Sequence, residues 1–240
     1  MSIGKESWSN IYNMITADYT IKTGTTVVMS TQMRSHPNIG CLSPDGMIYY
    51  HMIPKNASSF LTGILKSWDY SIVNHTYQIP VNTKGSIGLC ILRDPIQRWI
   101  SGITQFLADV IDTDASQSTW DNVFRLVTKQ PYQDNHTAPQ LEFLKDHDLD
   151  WFHFHYMHHT KSVGEGLNTW LQTRNGKENI TRFEKKNVSN SVEAKKKIYD
   201  HVKNKLKSDP NLNSRIKEFY RSDYELIDWV GRNQKWIPSI

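Results

Sequence analysis

The fold of this chain is decided by the stretch Met47-Ile-Tyr-Tyr-His-Met-Ile-Pro-Lys-Asn-Ala-Ser-Ser-Phe60, in which a strand, a loop and a helix follow one another. Residues 47–53 are almost all apolar or aromatic and are stopped by Pro54, which predicts a strand. A helix is predicted over 58–68, because apolar residues recur there at helical spacing, at Phe60, Leu61, Ile64 and Leu65. In α/β proteins, ligands bind where a strand ends and a helix begins.

A second junction of the same kind is Ile87-Gly-Leu-Cys-Ile-Leu-Arg-Asp-Pro-Ile-Gln-Arg-Trp-Ile-Ser101. The continuous apolar run 87–92 is typical of a parallel strand that is buried on both faces. Asp94 suits the N-cap of the helix that follows, and Pro95 suits its first position. The apolar face of this helix consists of Ile96, Trp99, Ile100, Ile103, Phe106, Leu107 and Val110.

The remaining pattern alternates between strands and helices, which predicts a single α/β domain with a central parallel sheet flanked by helices. Short strands are predicted at 69–74 and 149–156, and helices at 120–127, at 163–171 and from 192 onward. We place this domain at 47–240. Residues 1–46 are expected to be an N-terminal extension packed on it, with a strand at 26–33 and irregular connections at Pro37, Gly40, Pro44 and Gly46.

Length and composition define the class of protein. The 240 residues are 38% apolar, 22% charged and 11% aromatic, which suits one globular domain and excludes wholesale disorder or a collagen-like repeat. The net charge of +4 is compatible with an anionic ligand. The cysteines, Cys41 and Cys90, are too few to form a disulfide scaffold. No apolar run approaches the length of a membrane span.

The first junction has the composition of a phosphate-binding loop. Backbone N–H groups at a helix start can hold a phosphate, and Ser58 and Ser59 add hydroxyl donors. Lys55 would place a positive charge against the bridging oxygens. The glycine pair of a Walker A loop is absent, which disfavours an ATP or GTP hydrolase. A serine-capped helix beside a solvated lysine explains the heptapeptide 54–60 equally well.

The second junction offers a second anion site. Arg93 leaves a buried strand directly before a helix, where its guanidinium can bind a phosphate with two parallel hydrogen bonds. Ser101 lies about two turns into that helix, near the face of Arg98 and Gln105. Alternatively, Arg93 and Asp94 form a local ion pair and Ser101 is a surface residue. This alternative leaves unexplained why both junctions carry phosphate-binding residues.

Together the two junctions resemble the sulfotransferases that use 3′-phosphoadenosine 5′-phosphosulfate (PAPS). Residues 53–60 resemble their 5′-phosphosulfate loop, and residues 92–101 resemble their 3′-phosphate motif, with the same order and the same step from Arg93 to Ser101. Two further segments are similar to the carbohydrate branch of the family, namely Asp134-Asn-His-Thr-Ala-Pro-Gln140 and Phe219-Tyr-Arg-Ser-Asp-Tyr-Glu-Leu226. The resemblance covers 47–230, and its specific part is the pair of phosphate motifs.

The resemblance implies a P-loop-kinase-like sulfotransferase fold and transfer of a sulfuryl group from PAPS to a hydroxyl or amine of an acceptor, without a metal. Lys55 would neutralise the leaving phosphate. The 5′-phosphosulfate would be held by the loop, at Lys55, Asn56, Ala57, Ser58, Ser59 and Phe60. Arg93 and Ser101 would bind the 3′-phosphate, which distinguishes PAPS from ATP. The expected product is 3′-phosphoadenosine 5′-phosphate (PAP).

The acceptor needs a general base, for which two histidines are candidates. In heparan-type relatives a histidine between the two phosphate motifs has this role, and His75 is the only histidine between them here. The near-neutral pKa of an imidazole suits proton transfer from a hydroxyl. A hydrogen-bonded structural role is the alternative for His75. His136 is the second candidate, with the positioning of substrate or nucleotide as its alternative role.

Two other activities stay open beside sulfuryl transfer. One is a nucleotide-dependent kinase on the same scaffold, which the missing Walker A glycines disfavour. The other is a catalytically inactive glycan-binding module, which the presence of Lys55, Arg93 and Ser101 disfavours. A saccharide is the favoured acceptor, by analogy with the carbohydrate branch. A zinc site is disfavoured because no cysteine or carboxylate stands at a standard spacing from His153, His155, His158 and His159.

The charge pattern and the glycosylation sequons indicate the cellular compartment. The lysine-rich segment 185–207 is expected to be a solvated helix face, and too few aromatics interleave with it for nucleic-acid binding. Glycosylation sequons, the first of which would block the phosphate loop if modified, occur at Asn56, Asn74, Asn135, Asn179 and Asn187. We therefore expect a cytoplasmic protein without a membrane span, of bacterial or viral origin, rather than a resident of the Golgi lumen.

Overall fold

The computed structural model describes residues 38–75, 85–110, 117–145, 147–158, 163–167, 170 and 192–237. All of them belong to one compact unit, 37–240. The strand predicted at 26–33 lies outside the described residues, as does the rest of the predicted extension before residue 38. Within the described part of the chain, no helix combines the length and the apolar character needed to cross a membrane.

Five strands form one mixed sheet in the described residues. They are β1 (Asn38–Leu42), β2 (Ile48–His51), β3 (Ser71–His75), β4 (Ile87–Arg93) and β5 (Phe152–Met157), in the order β3-β1-β2-β4-β5. β2, β4 and β5 are parallel to one another. β1 is antiparallel to both of its neighbours, β2 and β3. The predicted α/β class is therefore confirmed in the form of a mixed sheet flanked by helices.

The predicted central parallel sheet is found for β2, β4 and β5, whereas β1 is an antiparallel strand in a segment for which Gly40 and Pro44 predict irregular connections. Gly40 is instead part of β1, where the missing side chain makes room for β2: a Cβ at this position would overlap the ring of Tyr49. A turn over 43–47 then joins the two strands, and the Ser43 amide donates to the Ile48 carbonyl at 2.9 Å. β1 thus precedes the domain boundary predicted at residue 47.

Six longer helices are described beside the sheet: α1 (Ser58–Lys66), α2 (Pro95–Val110), α3 (Gln117–Val127), α4 (Val192–Ser208), α5 (Pro210–Phe219) and α6 (Arg221–Arg232). Two 3₁₀ helices, Gln140–Phe143 and Leu149–Trp151, lie between α3 and β5, and residues 163–167 are helical. The helices predicted after the two strand ends are confirmed as α1 and α2. Asp94 caps α2 as predicted, because its Oδ1 accepts from the Gln97 amide at 2.8 Å.

The side chains of β4 alternate between two hydrophobic clusters, one on each face of the sheet. Leu89 and Ile91 belong to the cluster that includes residues of α1. Cys90 and Leu92 belong to the cluster that includes residues of α6. The interior of β4 is buried on both faces, as its apolar run predicts.

The register of the parallel strands sets the position of the two predicted anion sites. His51 at the end of β2 is opposite Cys90 of β4, and Arg93 ends β4 three residues later. The 54–57 loop and Arg93 therefore leave the same edge of the sheet from adjacent strands. Neighbouring strands are about 4.8 Å apart, so the two segments start close to one another.

Candidate functional site

The loop after β2 has a backbone that is shaped for an anion. Lys55 and Ala57 have φ values of 68° and 58°, in the left-handed region that residues other than glycine rarely adopt. Ala57 is left-handed, whereas Ser58 begins the right-handed helix α1. Consecutive residues of opposite hand turn their N–H groups toward one side and form an anion-binding concavity. Backbone strain of this kind is concentrated at ligand sites.

The N-terminus of α1 adds donors to this concavity. Its cap residue is Ala57, which makes no side-chain cap bond, and no acidic residue stands in the first turn. The first bond of the helix is from the Leu61 amide to the Ala57 carbonyl at 2.9 Å, so the amides of Ser58 and Ser59 have no acceptor within the helix. Ser58 is half-buried and Ser59 is exposed. The positive end of the helix dipole is therefore open to an anionic ligand.

Arg93 joins the 54–57 loop, called the first loop, to the junction of β4 and α2 at residues 93–94, called the second loop. Its Nη1 donates to the carbonyl oxygen of Lys55 at 3.1 Å. Burial lowers the pKa of Arg93, and Tyr199, Asp94 and Tyr156 oppose this effect. A guanidinium carries five N–H groups, so one bond to a carbonyl leaves capacity to bind a phosphate. Two cationic residues thus belong to adjacent loops at one edge of the sheet.

Ser101 lies in α2, about two turns after Arg93. Ser101 is half-buried. Its neighbour Gly102 packs directly against the 134–138 segment, because a Cβ on Gly102 would overlap the carbonyl oxygen of His136. Gln105, one turn further along α2, accepts a hydrogen bond from Lys195 Nζ at 3.2 Å. The structure therefore packs α2 at Gly102, the residue after Ser101, against the segment that carries the second candidate base.

Gln140 is a polar residue that contacts both loops. Its Oε1 accepts from Asn56 Nδ2 at 2.6 Å and from the Arg93 amide at 2.9 Å. Its Nε2 donates to the Arg93 carbonyl at 2.9 Å. Asn56 is fully buried, and its Nδ2 also donates to the Ile91 carbonyl at 2.7 Å. The Asn56 side chain is therefore used inside the protein, unlike those of the loop residues nearer the surface.

The C-terminal helix α6 is bonded to the same network. Asp223 is buried, and its carboxylate accepts from the amides of Gln140 at 2.9 Å and Leu141 at 3.0 Å. Burial raises the pKa of Asp223, although these two bonds act in the opposite direction. The hydroxyl of Tyr220 donates to the carbonyl of Thr137. The two segments that resemble the carbohydrate branch therefore contact each other.

Arg98 is a fully buried cation that bonds three backbone carbonyls. It donates through Nε to Pro54 at 3.0 Å, through Nη2 to Asn135 at 3.3 Å, and through Nη1 to Ala138. Its guanidinium also lies 5.7 Å from the centroid of the Phe143 ring. Sequence reasoning places this arginine only on a helix face, and it misses the role of Gln140 for the same reason. Arg98 has one signal in the sequence, a charged residue next to the apolar face of α2, whereas Gln140 has no local signal.

Of the two candidate bases, His136 has a defined partner. Its Nδ1 lies 2.9 Å from Oδ2 of Asp134, and its amide donates to Oδ1 of the same carboxylate at 2.8 Å. The two side chains are 40% and 36% exposed, so a ligand can reach them. A carboxylate on Nδ1 fixes the ring and leaves Nε2 for a substrate proton. This arrangement suits a general base.

The backbone of His75 reaches the same edge of the sheet from the other side. His75 ends β3 and is paired with Asn38 of β1. Gly40 is paired with both Val73 and His51, so the His75 backbone is level with residue 53. β1 separates β3 from β2, which gives a separation of about 10 Å between the backbones of those strands. The His75 backbone thus flanks the 54–57 loop on the side away from Arg93.

An open cavity of about 630 Å³ lies beside the second loop. It is lined by Asp94, Ile96, Asn213, Lys217 and Tyr224. Burial raises the pKa of Tyr224 to about 12, with a further contribution from Asp94, so its phenol is neutral at physiological pH. The cavity therefore combines an apolar wall and a phenol with an amide and two opposite charges. Its volume is in the range of small-molecule sites.

His153 and His155 of β5 pack against neighbouring residues. His155 is buried, and Gly166 packs on its ring. The ring centroid of His153 lies 5.9 Å from that of Trp170. In the described ranges, no group of three or more histidine, cysteine, aspartate or glutamate side chains is placed to hold a metal ion. His159 lies outside those ranges, and a metal-free reaction stays a prediction.

No protein-family model, curated protein or solved structure matches this chain. The resemblance to PAPS-dependent sulfotransferases therefore rests on the residues of the two loops. The structure adds that Lys55 and Arg93 follow adjacent strands and that one hydrogen bond joins the two residues.

Proposed function

We propose that this chain is a PAPS-dependent sulfotransferase that acts on a hydroxyl or amine of an acceptor. The observation that carries the proposal is the hydrogen bond from Arg93 Nη1 to the Lys55 carbonyl, which joins two cationic loops. PAPS carries anionic groups at two positions of one ribose, the 5′-phosphosulfate and the 3′-phosphate. Two anion-binding loops on adjacent strands suit such a donor, whereas a nucleotide with a single phosphate chain needs one.

In this proposal, the first loop holds the 5′-phosphosulfate. The concavity at Ala57 and the first amides of α1 supply N–H donors, and Ser58 and Ser59 supply hydroxyls. Lys55 neutralises the charge that develops on the leaving phosphate oxygen. No residue of the first α1 turn is acidic, so nothing in that turn repels the anion.

The second loop binds the 3′-phosphate, and the cavity beside it takes the nucleoside. Arg93 offers parallel N–H groups to two phosphate oxygens, and Ser101 adds a hydroxyl. Asp94, which follows Arg93 in the chain, lines this cavity. Ile96 and Tyr224 offer an apolar surface for a base, and the Asn213 amide can both donate to and accept from the edge of a base.

In the reaction step, the acceptor oxygen or nitrogen forms a bond to sulfur. The bond between sulfur and the 5′-phosphate oxygen breaks, and PAP leaves with that electron pair. The acceptor proton passes to a histidine, with His75 as the first candidate and His136, which Asp134 orients, as the second. Rate acceleration comes from positioning the acceptor in line and from stabilising negative charge on the leaving oxygen. The step uses no metal ion.

The acceptor in this proposal is a saccharide. The support for this class is the similarity of 134–140 and 219–226 to the carbohydrate branch. Both segments are bonded to the site: Asp223 accepts from the Gln140 amide, and Gln140 contacts Asn56 and Arg93. The segments that carry the acceptor analogy are therefore bonded to the loops that carry the donor analogy.

Transfer of radiolabelled sulfate from PAPS to a panel of glycans and small hydroxyl acceptors tests the proposal. We expect a labelled product with the wild type and none above background with Lys55→Ala. Lys66→Ala is the matched control, because Lys66 is exposed in the last turn of α1 and should leave transfer unchanged. Tight glycan binding without any transfer would instead favour an inactive module, and transfer of phosphate from ATP would favour a kinase.

A further inference from the structure

Gln140 contacts both anion-binding loops through one fully buried side-chain amide. We propose that Gln140 is a positioning residue that fixes the separation of the two loops and so makes the chain select ligands with two separate phosphate groups. This inference rests on the proposed function for the identity of the ligand. It adds to that function the residue that sets the spacing of the two loops. This residue, Gln140, lies outside both phosphate motifs.

The contact with the first loop holds a strained backbone in place. Gln140 Oε1 accepts from Asn56 Nδ2 at 2.6 Å, and the same Nδ2 donates to the Ile91 carbonyl at 2.7 Å. Asn56 stands between the two left-handed residues, Lys55 and Ala57. Strained conformations persist only where the surroundings over-determine them. The bonds of Asn56 therefore fix the concavity relative to β4.

The contact with the second loop is made to the backbone of Arg93. Gln140 Oε1 accepts from the Arg93 amide and Nε2 donates to the Arg93 carbonyl, both at 2.9 Å. A primary amide that bonds the N–H and the C=O of one residue imitates a neighbouring strand. β2 has ended at His51, which is opposite Cys90, so Gln140 bonds β4 beyond the last residue of β2. Both loops thus share one rigid amide.

Gln140 is itself hydrogen-bonded to Asp223 of α6. Its backbone amide donates to Asp223 at 2.9 Å, and its Nε2 lies 3.4 Å from the same carboxylate oxygen. Its side chain is thus bonded to Asn56, to the Arg93 backbone and to Asp223, and these bonds together restrict it to one geometry. The side chain therefore cannot follow a movement of one loop without breaking bonds to the other.

A fixed spacing affects ligands with two anionic groups more than ligands with one. Once one phosphate is bound, the other is presented to its loop at a high effective concentration only if the spacing matches. When the spacing fluctuates, ordering it costs binding free energy that a rigid site does not lose. A ligand with a single phosphate group needs one loop at a time and does not sense the spacing.

The test compares the affinities of PAP, adenosine 5′-phosphate and adenosine 3′-phosphate for Gln140→Met by calorimetry. We expect PAP affinity to fall by roughly 10–100-fold and each monophosphate affinity to change by less than about threefold. Gln133→Met is the matched control. Gln133 also donates from Nε2 to two backbone carbonyls, those of Val127 and Gln130, both at 2.6 Å, and its variant should leave the ratio of the three affinities unchanged.

Hydrogen exchange of the ligand-free proteins provides the second measurement. Gln140→Met should speed exchange in the 55–60 and 91–94 segments together, whereas Gln133→Met should not. Asn56→Ala, which removes the contact with the first loop alone, takes the place of Gln140→Met if that variant does not fold. Equal losses for all three nucleotides, or none for PAP, would overturn the role of Gln140. If the wild type does not bind PAP, the proposed function fails. The spacing role is then tested by hydrogen exchange alone: it is overturned if Gln140→Met speeds exchange in only one of the two segments or in neither.

Discussion

In the proposed function, Arg93 distinguishes a donor with a 3′-phosphate from one without it. We predict that Arg93→Gln lowers PAP affinity by roughly 10–100-fold, because hydrogen bonds to charged groups contribute about 1.5–3 kcal/mol. Affinity for adenosine 5′-phosphate should change by less than about threefold, since that ligand has no group for Arg93 to bind. Calorimetric titration of both ligands measures the ratio directly.

Arg232→Gln is the control for Arg93→Gln. Arg232 is exposed in the last turn of α6, and its Nε lies 3.5 Å from the Asp228 carbonyl of its own helix. This variant should bind both ligands as the wild type does. Unchanged PAP affinity in Arg93→Gln would contradict the second anion site.

The general base is tested by paired histidine variants. His75→Ala should lower kcat by about 10²–10⁴-fold while PAP affinity is retained, because a base acts on the acceptor proton and not on the bound donor product. Initial rates of sulfate transfer and calorimetry separate the two effects. If His75→Ala keeps its turnover and His136→Ala loses it, the role belongs to the histidine that Asp134 orients. Retained turnover in both variants would contradict a histidine base.

At the scale of single residues, the sequence predicts which residues would bind a ligand, but it does not predict which residues hold the two loops in place. Lys55, Arg93 and Ser101 can be predicted because the ligand fixes their types and spacing. Gln140 cannot be predicted in the same way, since its partners Arg93 and Asn56 are 47 and 84 residues away in the chain. Nothing in a local pattern shows which side chain will be opposite a given backbone amide.

Among the elements, α2 and the 134–138 segment depend on close contact at Gly102. We predict that Gly102→Ala lowers the free energy of unfolding by about 1–3 kcal/mol, because its Cβ would overlap the His136 carbonyl and force the backbones apart. PAP affinity should fall as well, since Ser101 is the neighbouring residue. Urea unfolding and calorimetry measure the two effects.

Gly63→Ala provides the opposite expectation on a helix. Gly63 lies in α1, and beyond its chain neighbours and the backbone of its own helix no atom is within 4 Å of an added Cβ. Alanine should therefore stabilise the protein by about 0.5–1 kcal/mol through helix propensity alone. A Gly102→Ala variant as stable as Gly63→Ala would contradict the packing of α2 against the 134–138 segment.

Individual elements can be predicted where one period dominates the pattern. The apolar run of β4 and the capped start of α2 both follow from their sequence. β1 cannot be predicted in this way, because a glycine such as Gly40 usually indicates a break in a strand. Here the glycine is required by close contact with Tyr49 of the next strand, which the local sequence does not show. The antiparallel direction of β1 cannot be predicted either, since it depends on the 43–47 turn and on the packing of β2.

For the whole molecule, Asp223 links α6 to the centre of the site. Burial raises the pKa of Asp223 above its ordinary value near 3.8. An acid whose pKa is raised by folding stabilises the fold at low pH, and this contribution is lost as the pH rises through the folded-state pKa. Asp223→Asn lacks this titration. We therefore predict that the stability advantage of the wild type over this variant shrinks as the pH rises from about 4 toward 7.

Urea unfolding of both proteins at a series of pH values tests the role of Asp223. The comparison uses the difference between the two proteins, so that titrations common to both cancel. A difference that is constant or that widens with pH would contradict a raised pKa for Asp223.

The order of the strands is the feature of the whole molecule that the sequence leaves open. The alternation of strands and helices predicts the α/β class, but several orders satisfy it. The order β3-β1-β2-β4-β5 places β2 beside β4, and this adjacency brings the two separate motifs next to each other. The predicted pair of anion sites therefore depends on a long-range pairing that no local pattern contains.

Calorimetric titration of the wild-type protein with PAP, beside an identical titration with ADP, tests the central claim most directly. The two ligands share adenosine and two phosphates, and they differ in whether the second phosphate is on the 3′-oxygen. Two anion loops on adjacent strands predict a single site that binds PAP at least about tenfold more tightly than ADP, because the 3′-phosphate makes charge-assisted hydrogen bonds that ADP cannot make. Equal affinities, or no heat with PAP, would contradict it.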